Sequence, residues 1–255
     1  VFDLSQKIYQ DEALGILKNI SAKEKENIEK ASILMAESIS GGHLVHLFGS
    51  GHSALPALDI FPRYGSYVGF HPLIDPRLVW FNVIGPGGAR ELLWIERQEG
   101  YVRNFLQSFT FYKEDTFVVY SHGGVNAAPV EAAMYAKDFG MKVVAITSMD
   151  NYRYSKPMHS SGKKLADLAD VVIDNCCPLE DAVVTVEHEK PKVGATSTLS
   201  TVFISMSLLC ETAKILQDKG FDLRIFASPN TEAVPKNNND MVYEAYSELV
   251  KSLGV

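Results

Sequence analysis

The sequence predicts a doubly wound α/β domain, and three observations carry that prediction. Short, almost wholly apolar segments recur along the chain: Leu44-Val45-His46-Leu47-Phe48, Thr116-Phe117-Val118-Val119-Tyr120, Lys142-Val143-Val144-Ala145-Ile146-Thr147 and Ala169-Asp170-Val171-Val172-Ile173-Asp174. Stretches of helical periodicity separate them, the pattern of parallel strands covered on both faces. Two of the segments run straight into polar glycine turns, Gly49-Ser50-Gly51-His52-Ser53 and Ser121-His122-Gly123-Gly124-Val125-Asn126, as strands do before a helix.

Taken in order, residues 6–39 place Ile8, Leu14, Leu17 and Ile20, then Ile28, Ala31, Leu34, Met35 and Ile39, at helical spacing. Two helices result, with Ser21 as N-cap of the second and Glu24 completing a capping box; Gly41-Gly42 ends it. The first strand, its turn and a helix follow. Residues 75–108 are the least regular, holding Trp80, Phe81, Pro86-Gly87-Gly88 and Trp94 before a helical stretch from Glu96 to Phe109. Ala127 to Phe139 reads as a helix with Pro129 in its first turn and Gly140 as stop. A long apolar helix spans about Ser200 to Lys219, closed by Gly220; a polar arm from Pro229 to Asn239 precedes a last helix at about Asp240 to Leu253. Nothing reads as a repeat or a linker. The reading is one domain over 1–255, with N-terminal helices in 1–40, the α/β core in 41–228 and a C-terminal arm and helix in 229–255.

Composition narrows the partners. A chain of 255 residues, 46% of them hydrophobic, can bury a full core. Lys+Arg 24 against Asp+Glu 31 gives a net charge of −7, which opposes a broad nucleic-acid-binding face. The three cysteines form no C-x-x-C or Cys/His zinc pattern and point to a reducing, cytoplasmic setting. No uninterrupted apolar run approaches the roughly 18–20 residues of a membrane span, and the first residues lack the features of a signal peptide, so no membrane partner is expected.

Both glycine turns follow strands and belong at the carboxyl edge of the sheet, where such folds bind ligands. Each presents backbone N–H groups at a helix start, and Ser50, Ser53, Ser121 and Asn126 add side-chain polar groups. Two such turns at one edge point to a phosphorylated, hydroxyl-rich ligand. Gly49-x-Gly51-x-x-Ala54, with Asp75 downstream, also fits a loose dinucleotide fingerprint, but Pro56 interrupts the receiving helix and the second turn is left idle. His52 and His122 lie just past strand ends and are acid/base or donor candidates. His159 and Lys163, four apart at an apparent helix start, would meet an anionic group. His52, Asp59, His122 and His159 are an N/O donor set of the kind zinc or another divalent ion takes, yet their spacing demands no metal, and no cofactor is implied. Glu131 near a helix start reads as a dipole partner, His43 and His46 as structural, and Cys176-Cys177 as packing residues rather than reactive thiols.

Leu47 to Ser53, Ser121 to Asn126 with the following helix, His159-Ser160-Ser161-Gly162-Lys163-Lys164-Leu165, Leu168 to Asp174 and Val193-Gly194-Ala195-Thr196-Ser197-Thr198 together resemble the sugar isomerase (SIS) domain. The resemblance is closest to its uncharacterised phosphoheptose-isomerase-like branch, and it runs in order along nearly the whole chain. It implies a flavodoxin-like, five-stranded parallel sheet and a site at a subunit interface of a homodimer or homotetramer. It implies that Gly49, Ser50, Gly51 and Ser53 contact a sugar, that Ser121, Gly123, Gly124 and Asn126 cradle its phosphate, and that Ser197 and Thr198 face the ligand. The implied activity is aldose–ketose isomerisation of a sugar phosphate. Alternatives on the same fold are a non-catalytic sugar-phosphate sensor and a sugar-phosphate lyase or hydrolase. Two departures stand out: Gly123 replaces a second serine of the phosphate loop, and Leu58-Asp59 replaces paired glutamates. Asp59 joins His52 and His122 as an acid/base candidate for the enediol step.

Overall fold

The computed structural model of the chain describes residues 5–188, 190–230 and 232–255. Two helices, α1 (Ser5–Lys23) and α2 (Lys25–Ser40), lead into β1 (Val45–Gly49), α3 (Ala54–Ile60) and β2 (Phe70–Pro72). The middle of the chain forms α4 (Ala89–Ile95), α5 (Tyr101–Leu106), β3 (Thr116–Tyr120), α6 (Ala127–Asp138), β4 (Lys142–Thr147), α7 (Met149–Tyr154) and β5 (Val171–Asp174). A small hairpin of β6 (Ala182–Val184) and β7 (Val193–Ala195) precedes α8 (Ser197–Asp218) and α9 (Asn238–Leu253).

β1 to β5 form one parallel sheet in the order β2-β1-β3-β4-β5, the doubly wound, flavodoxin-like arrangement. Side-chain alternation sorts the strands onto two cores. Val118, Tyr120, Val144 and Ile146 join α2, α3 and α8 on one face, while Phe117, Val119, Val143 and Ala145 join α5 and α6 on the other. Full burial of each large apolar side chain there contributes about 1.5–3 kcal/mol. The chain leaves β1 for β2 on one side and returns to β3 on the other. The strand order therefore reverses between β1 and β3, and their ends lie side by side with Gly49 in register with Tyr120.

Several boundaries differ from the sequence reading. The first two helices meet at Glu24, and Ser21 lies inside α1 with its Oγ donating to Leu17 O, so it caps nothing. The expected helix from Glu96 to Phe109 is helical only over Tyr101–Leu106: α4 ends at Ile95 just before it, and the chain turns across 96–100, where Gly100 takes a left-handed φ of 87° that an α-helix cannot continue through. β2 has only three residues and β6 and β7 were not foreseen, being too short to show alternation. By length and composition α8 is long and apolar enough to cross a membrane. No single uninterrupted apolar run reveals this, and Ile204, Leu208, Leu209 and Leu216 of that helix pack into the sheet core.

The edge of the sheet away from the glycine turns holds a buried carboxylate, Asp115. It accepts from Leu44 N at 3.0 Å and Tyr112 N at 2.7 Å, and His46 Nε2 lies 3.1 Å away. His71 packs against the His46 ring, and burial followed by His46 pulls its pKa down to about 4 against the opposing pull of Asp115. A depressed folded-state pKa means that the unfolded chain takes the proton first. The stability that neutral His71 provides is therefore complete above about pH 6.5 and lost as pH falls toward 4, a change of roughly 3 kcal/mol. Urea unfolding across that window is expected to show the wild type losing stability more steeply than His71→Phe; parallel curves would refute the assignment.

Candidate functional site

The two turns leave adjacent strands, so strand register alone brings them together. In the second, Gly124 N donates to Ser121 Oγ at 3.0 Å, Ser148 N donates to His122 O and Leu165 N to Gly124 O. These bonds fix the backbone while the N–H groups of Gly123, Val125, Asn126 and Ala127 have no acceptor among the described residues. They lie at the start of the 12-residue α6, where the helix dipole favours an anion. Gly123 has room: a Cβ there would meet only Val125 Cγ2 at 3.8 Å.

The first turn is a single 3-10 turn, 51–53, running into the seven-residue α3. Ser53 is half-buried, Gly51 is buried, and His52 is exposed with its ring 4.4 Å from that of Trp80. The irregular segment therefore folds back over the turn, and Leu92 approaches Gly51.

Between the turns stands a carboxylate that the sequence reading did not single out. Glu96 is buried at 9% exposure; its Oε2 accepts from Ser50 Oγ at 2.9 Å and its Oε1 from Asn126 Nδ2 at 2.8 Å. Its carbonyl accepts from Ala128 N at 2.9 Å, which docks the helix break onto the start of α6. Burial raises the Glu96 pKa above the usual carboxylate range, with the Ser50 bond as the main opposing influence. A proton-transfer group in a cleft has these properties. The one signal in the sequence was Gly100 four residues on, which breaks the helix that would have carried Glu96 away.

The other candidates fall elsewhere or are already engaged. Asn175 Oδ1 accepts from Cys177 N, which turns its Nδ2 toward His122 Nδ1 at 3.2 Å. His122 Nε2 lies 3.0 Å from the Asn151 side-chain amide; the ring accepts from one amide only, but it sits between the two Asn side chains and braces the turn. Asp59 lies in the last turn of α3 and pairs with Arg63 at 2.6 Å, lining a separate hollow with Tyr64, Phe226 and Tyr243. Asp75 receives Arg77 and Tyr101, which leaves it no place in a ribose site. His159 and Lys163 sit on a turn, not a helix start; Lys163 is exposed, and His159 faces the carboxylates of Glu99 and Glu131 rather than an anion pocket.

Ser205, eight residues into α8, meets the Tyr120 hydroxyl at 3.2 Å, so the helix begins about 12 Å beyond that point, at the carboxyl edge of the sheet. Its N-terminus already carries an anion: Asp181 accepts from Thr196 N, Ser197 N and Ser197 Oγ at 3.0, 2.7 and 2.6 Å. Ser197 is thus engaged by the chain itself, with Thr198 half-buried beside it. Among the described residues no group of three His, Cys, Asp or Glu side chains is placed to hold a metal, and the set His52, Asp59, His122 and His159 does not converge. Burial pushes the Cys176 thiol up to about 12 and raises Cys177 as well, which suits packing residues and not nucleophiles.

Residues 8–148 match the SIS domain family. A UPF0309 protein of Caldanaerobacter subterraneus subsp. tengcongensis is 34% identical over 250 residues, covering 96% of this chain and 99% of its own length. A UPF0309 protein of Thermoanaerobacter pseudethanolicus is 32% identical over 250 residues, covering 96% and 98%. Among solved structures, a phosphoheptose isomerase of Neisseria gonorrhoeae superposes with a TM-score of 0.53 at 16% identity, over 80% of this chain and 94% of that one. A phosphoheptose isomerase of Francisella tularensis gives 0.53 at 15% identity, over 81% and 95%. At these identities the likeness to both isomerases is one of fold. By the match over residues 8–148 the chain belongs to the SIS domain family, and over nearly its whole length it belongs with the UPF0309 proteins.

Proposed function

We propose that this protein binds a phosphorylated sugar at the β1/β3 edge and interconverts its aldose and ketose forms. The observation that carries the reading is Glu96, a buried carboxylate of raised pKa held between a sugar-side turn and a phosphate-side turn. In this reading the free amides of Gly123, Val125, Asn126 and Ala127 hold the phosphate. Ionised Glu96 takes the proton from the carbon next to the carbonyl and returns it to the neighbouring carbon, one carboxylate serving both steps through an enediol. The His52 ring makes no hydrogen bond among the described residues and is the imidazole that would exchange protons with the sugar oxygens. His122 acts as a brace. The fold shared with phosphoheptose isomerases supports the substrate class.

The same reading makes the protein a cytoplasmic homo-oligomer with its site near a subunit interface. Phe81, Val83, Ile84 and Trp94 are between 64% and 90% exposed on the segment that folds over the first turn, and three free thiols suit a reducing compartment. Light scattering on the purified protein reads the subunit number; a monomer would remove the interface from the proposal.

The test is a thermal-shift screen of sugar phosphates, each beside its unphosphorylated form, followed by mass and NMR analysis of the product. A ligand at 100 times its Kd adds about 2.7 kcal/mol. A phosphate-dependent shift with a product of unchanged mass supports isomerisation. A shift without turnover identifies a sensor, and a product of changed mass a lyase or hydrolase. Because Gly123 has space for a side chain, Gly123→Ser should add a hydroxyl to the cradle and tighten binding roughly 10–150-fold, from a charged hydrogen bond of about 1.5–3 kcal/mol. No phosphate dependence in either protein would overturn the reading.

A further inference from the structure

The segment between α7 and β5 crosses the site edge as a strap. At one end Met158 N donates to Val125 O at 3.1 Å, and at the other Leu165 N donates to Gly124 O at 2.8 Å. Between them Ser160 N and Oγ donate to the two oxygens of Glu99 at 2.7 and 2.5 Å. The strap thus ties the phosphate-side turn to the 96–100 link that carries Glu96.

At the crossing lies His159, whose side chain is 8% exposed. Its Nδ1 accepts from Ser161 N at 3.1 Å, which leaves the ring proton on Nε2. That Nε2 faces Glu99 Oε2 at 3.6 Å and Glu131 Oε1 at 3.8 Å. Glu131 in turn accepts from Gly100 N, and its Oε2 is buried with no hydrogen-bond partner among the described residues. An unpaired buried carboxylate oxygen is costly to maintain. The His159 Nε2–H faces that carboxylate through Oε1 rather than the orphaned Oε2 and stands beyond hydrogen-bond length, so what it supplies is an electrostatic contact shared between Glu131 on α6 and Glu99 on the link.

We propose that His159 is a positioning residue: by bridging Glu99 and Glu131 it holds the 96–100 link against α6 and so sets where the Glu96 carboxylate stands. The proposal rests on the reading of Glu96 given above. Its structural half has its own readout, because the link is held by two identifiable amides, Gly100 N on Glu131 and Ala128 N on Glu96 O. The phosphate-side turn keeps its separate bonds through Gly124 N and Leu165 N.

The experiment compares His159→Gln, whose amide nitrogen reproduces the Nε2 donor, with His159→Asn, which reproduces only the Nδ1 position. Hydrogen exchange is read amide by amide, and kcat and KM are measured on the sugar phosphate found in the screen. In His159→Asn, exchange at Gly100 and Ala128 is expected to rise at least tenfold while Gly124 and Leu165 hold. A displaced Glu96 lowers kcat about tenfold with KM within twofold. His159→Gln is expected to restore both. Should His159→Asn fold poorly, Glu131→Gln keeps the acceptor for Gly100 and removes the charge facing His159; the same two amides should loosen. Unchanged exchange at Gly100 and Ala128, or identical behaviour of the Gln and Asn variants, would overturn the proposal even if the protein is an isomerase. Loosened amides in a protein that turns over no sugar phosphate would instead bring down the Glu96 reading and leave the strap standing.

Discussion

Glu96→Gln is expected to lower turnover of the sugar phosphate by about 10²–10⁴-fold, the contribution of a positioned acid/base group. Its fold should remain intact. Gln keeps an oxygen for Asn126 Nδ2 and offers an amide to Ser50 Oγ, so both bonds that hold Glu96 have a replacement. Stability should move the other way from activity. Because burial raises the Glu96 pKa, the folded state holds that proton more tightly than the unfolded chain. The stability it provides is present below the ordinary carboxylate range and lost as pH rises through the raised value, so above that value the ionised carboxylate is a burden that Gln removes. A pH–rate profile of the wild type should rise through a pKa above the ordinary Glu value, and that limb should vanish in Glu96→Gln. A variant with wild-type kcat would exclude Glu96 as the proton carrier.

Gly49→Ala is expected to be the most damaging single methyl in the chain, by more than about 4 kcal/mol. A Cβ on Gly49 would stand 2.0 Å from Ser53 O and 2.4 Å from Ser53 C. Those are backbone atoms of the tight turn that brings Ser50 to Glu96, so no side chain can swing aside. Either the end of β1 leaves its register with Tyr120 or the turn opens, and both dismantle the site. Gly15→Ala is the control: nothing lies within 4 Å of its Cβ position, and the change in the interior of α1 should stabilise by about 0.5–1 kcal/mol. Urea midpoints of the two variants settle the contrast, and a Gly49→Ala midpoint equal to wild type would mean that the turn is looser than its backbone contacts indicate.

Much of the architecture was legible along the chain because it depends on local pattern. Apolar runs such as Phe117 to Val119 mark strands buried on both faces, and Gly-Ser turns after them mark the carboxyl edge of the sheet. α6 and α8 follow from periodicity and their glycine stops. Short elements were not legible: β2 and the β6–β7 hairpin have too few residues for alternation to stand out, and their pairing is made by neighbours distant in sequence.

The site divides along the same line. Ser50, Ser121, Gly123, Gly124 and Asn126 announce themselves, since a backbone that must present free N–H groups needs those residue types at those places. Glu96 does not, because a glutamate before Arg97-Gln98-Glu99 reads as one charge among several on a helix, and only the break at Gly100 turns it inward. For His159, spacing from Lys163 suggested a cation pair facing a ligand, whereas the turn at 159–162 points the ring at Glu99 and Glu131. Ser197 was expected to face a ligand and is held by Asp181, which the chain folds back from the 175–181 loop. By itself the sequence determined the doubly wound sheet and the two glycine turns that meet at its carboxyl edge. All of these follow from residue-by-residue preference and from the alternation of side chains across a strand. Tertiary structure decided which charged side chains enter the cleft and which close on one another. A carboxylate's role depends on its burial and on donors distant in sequence, and no local pattern records either.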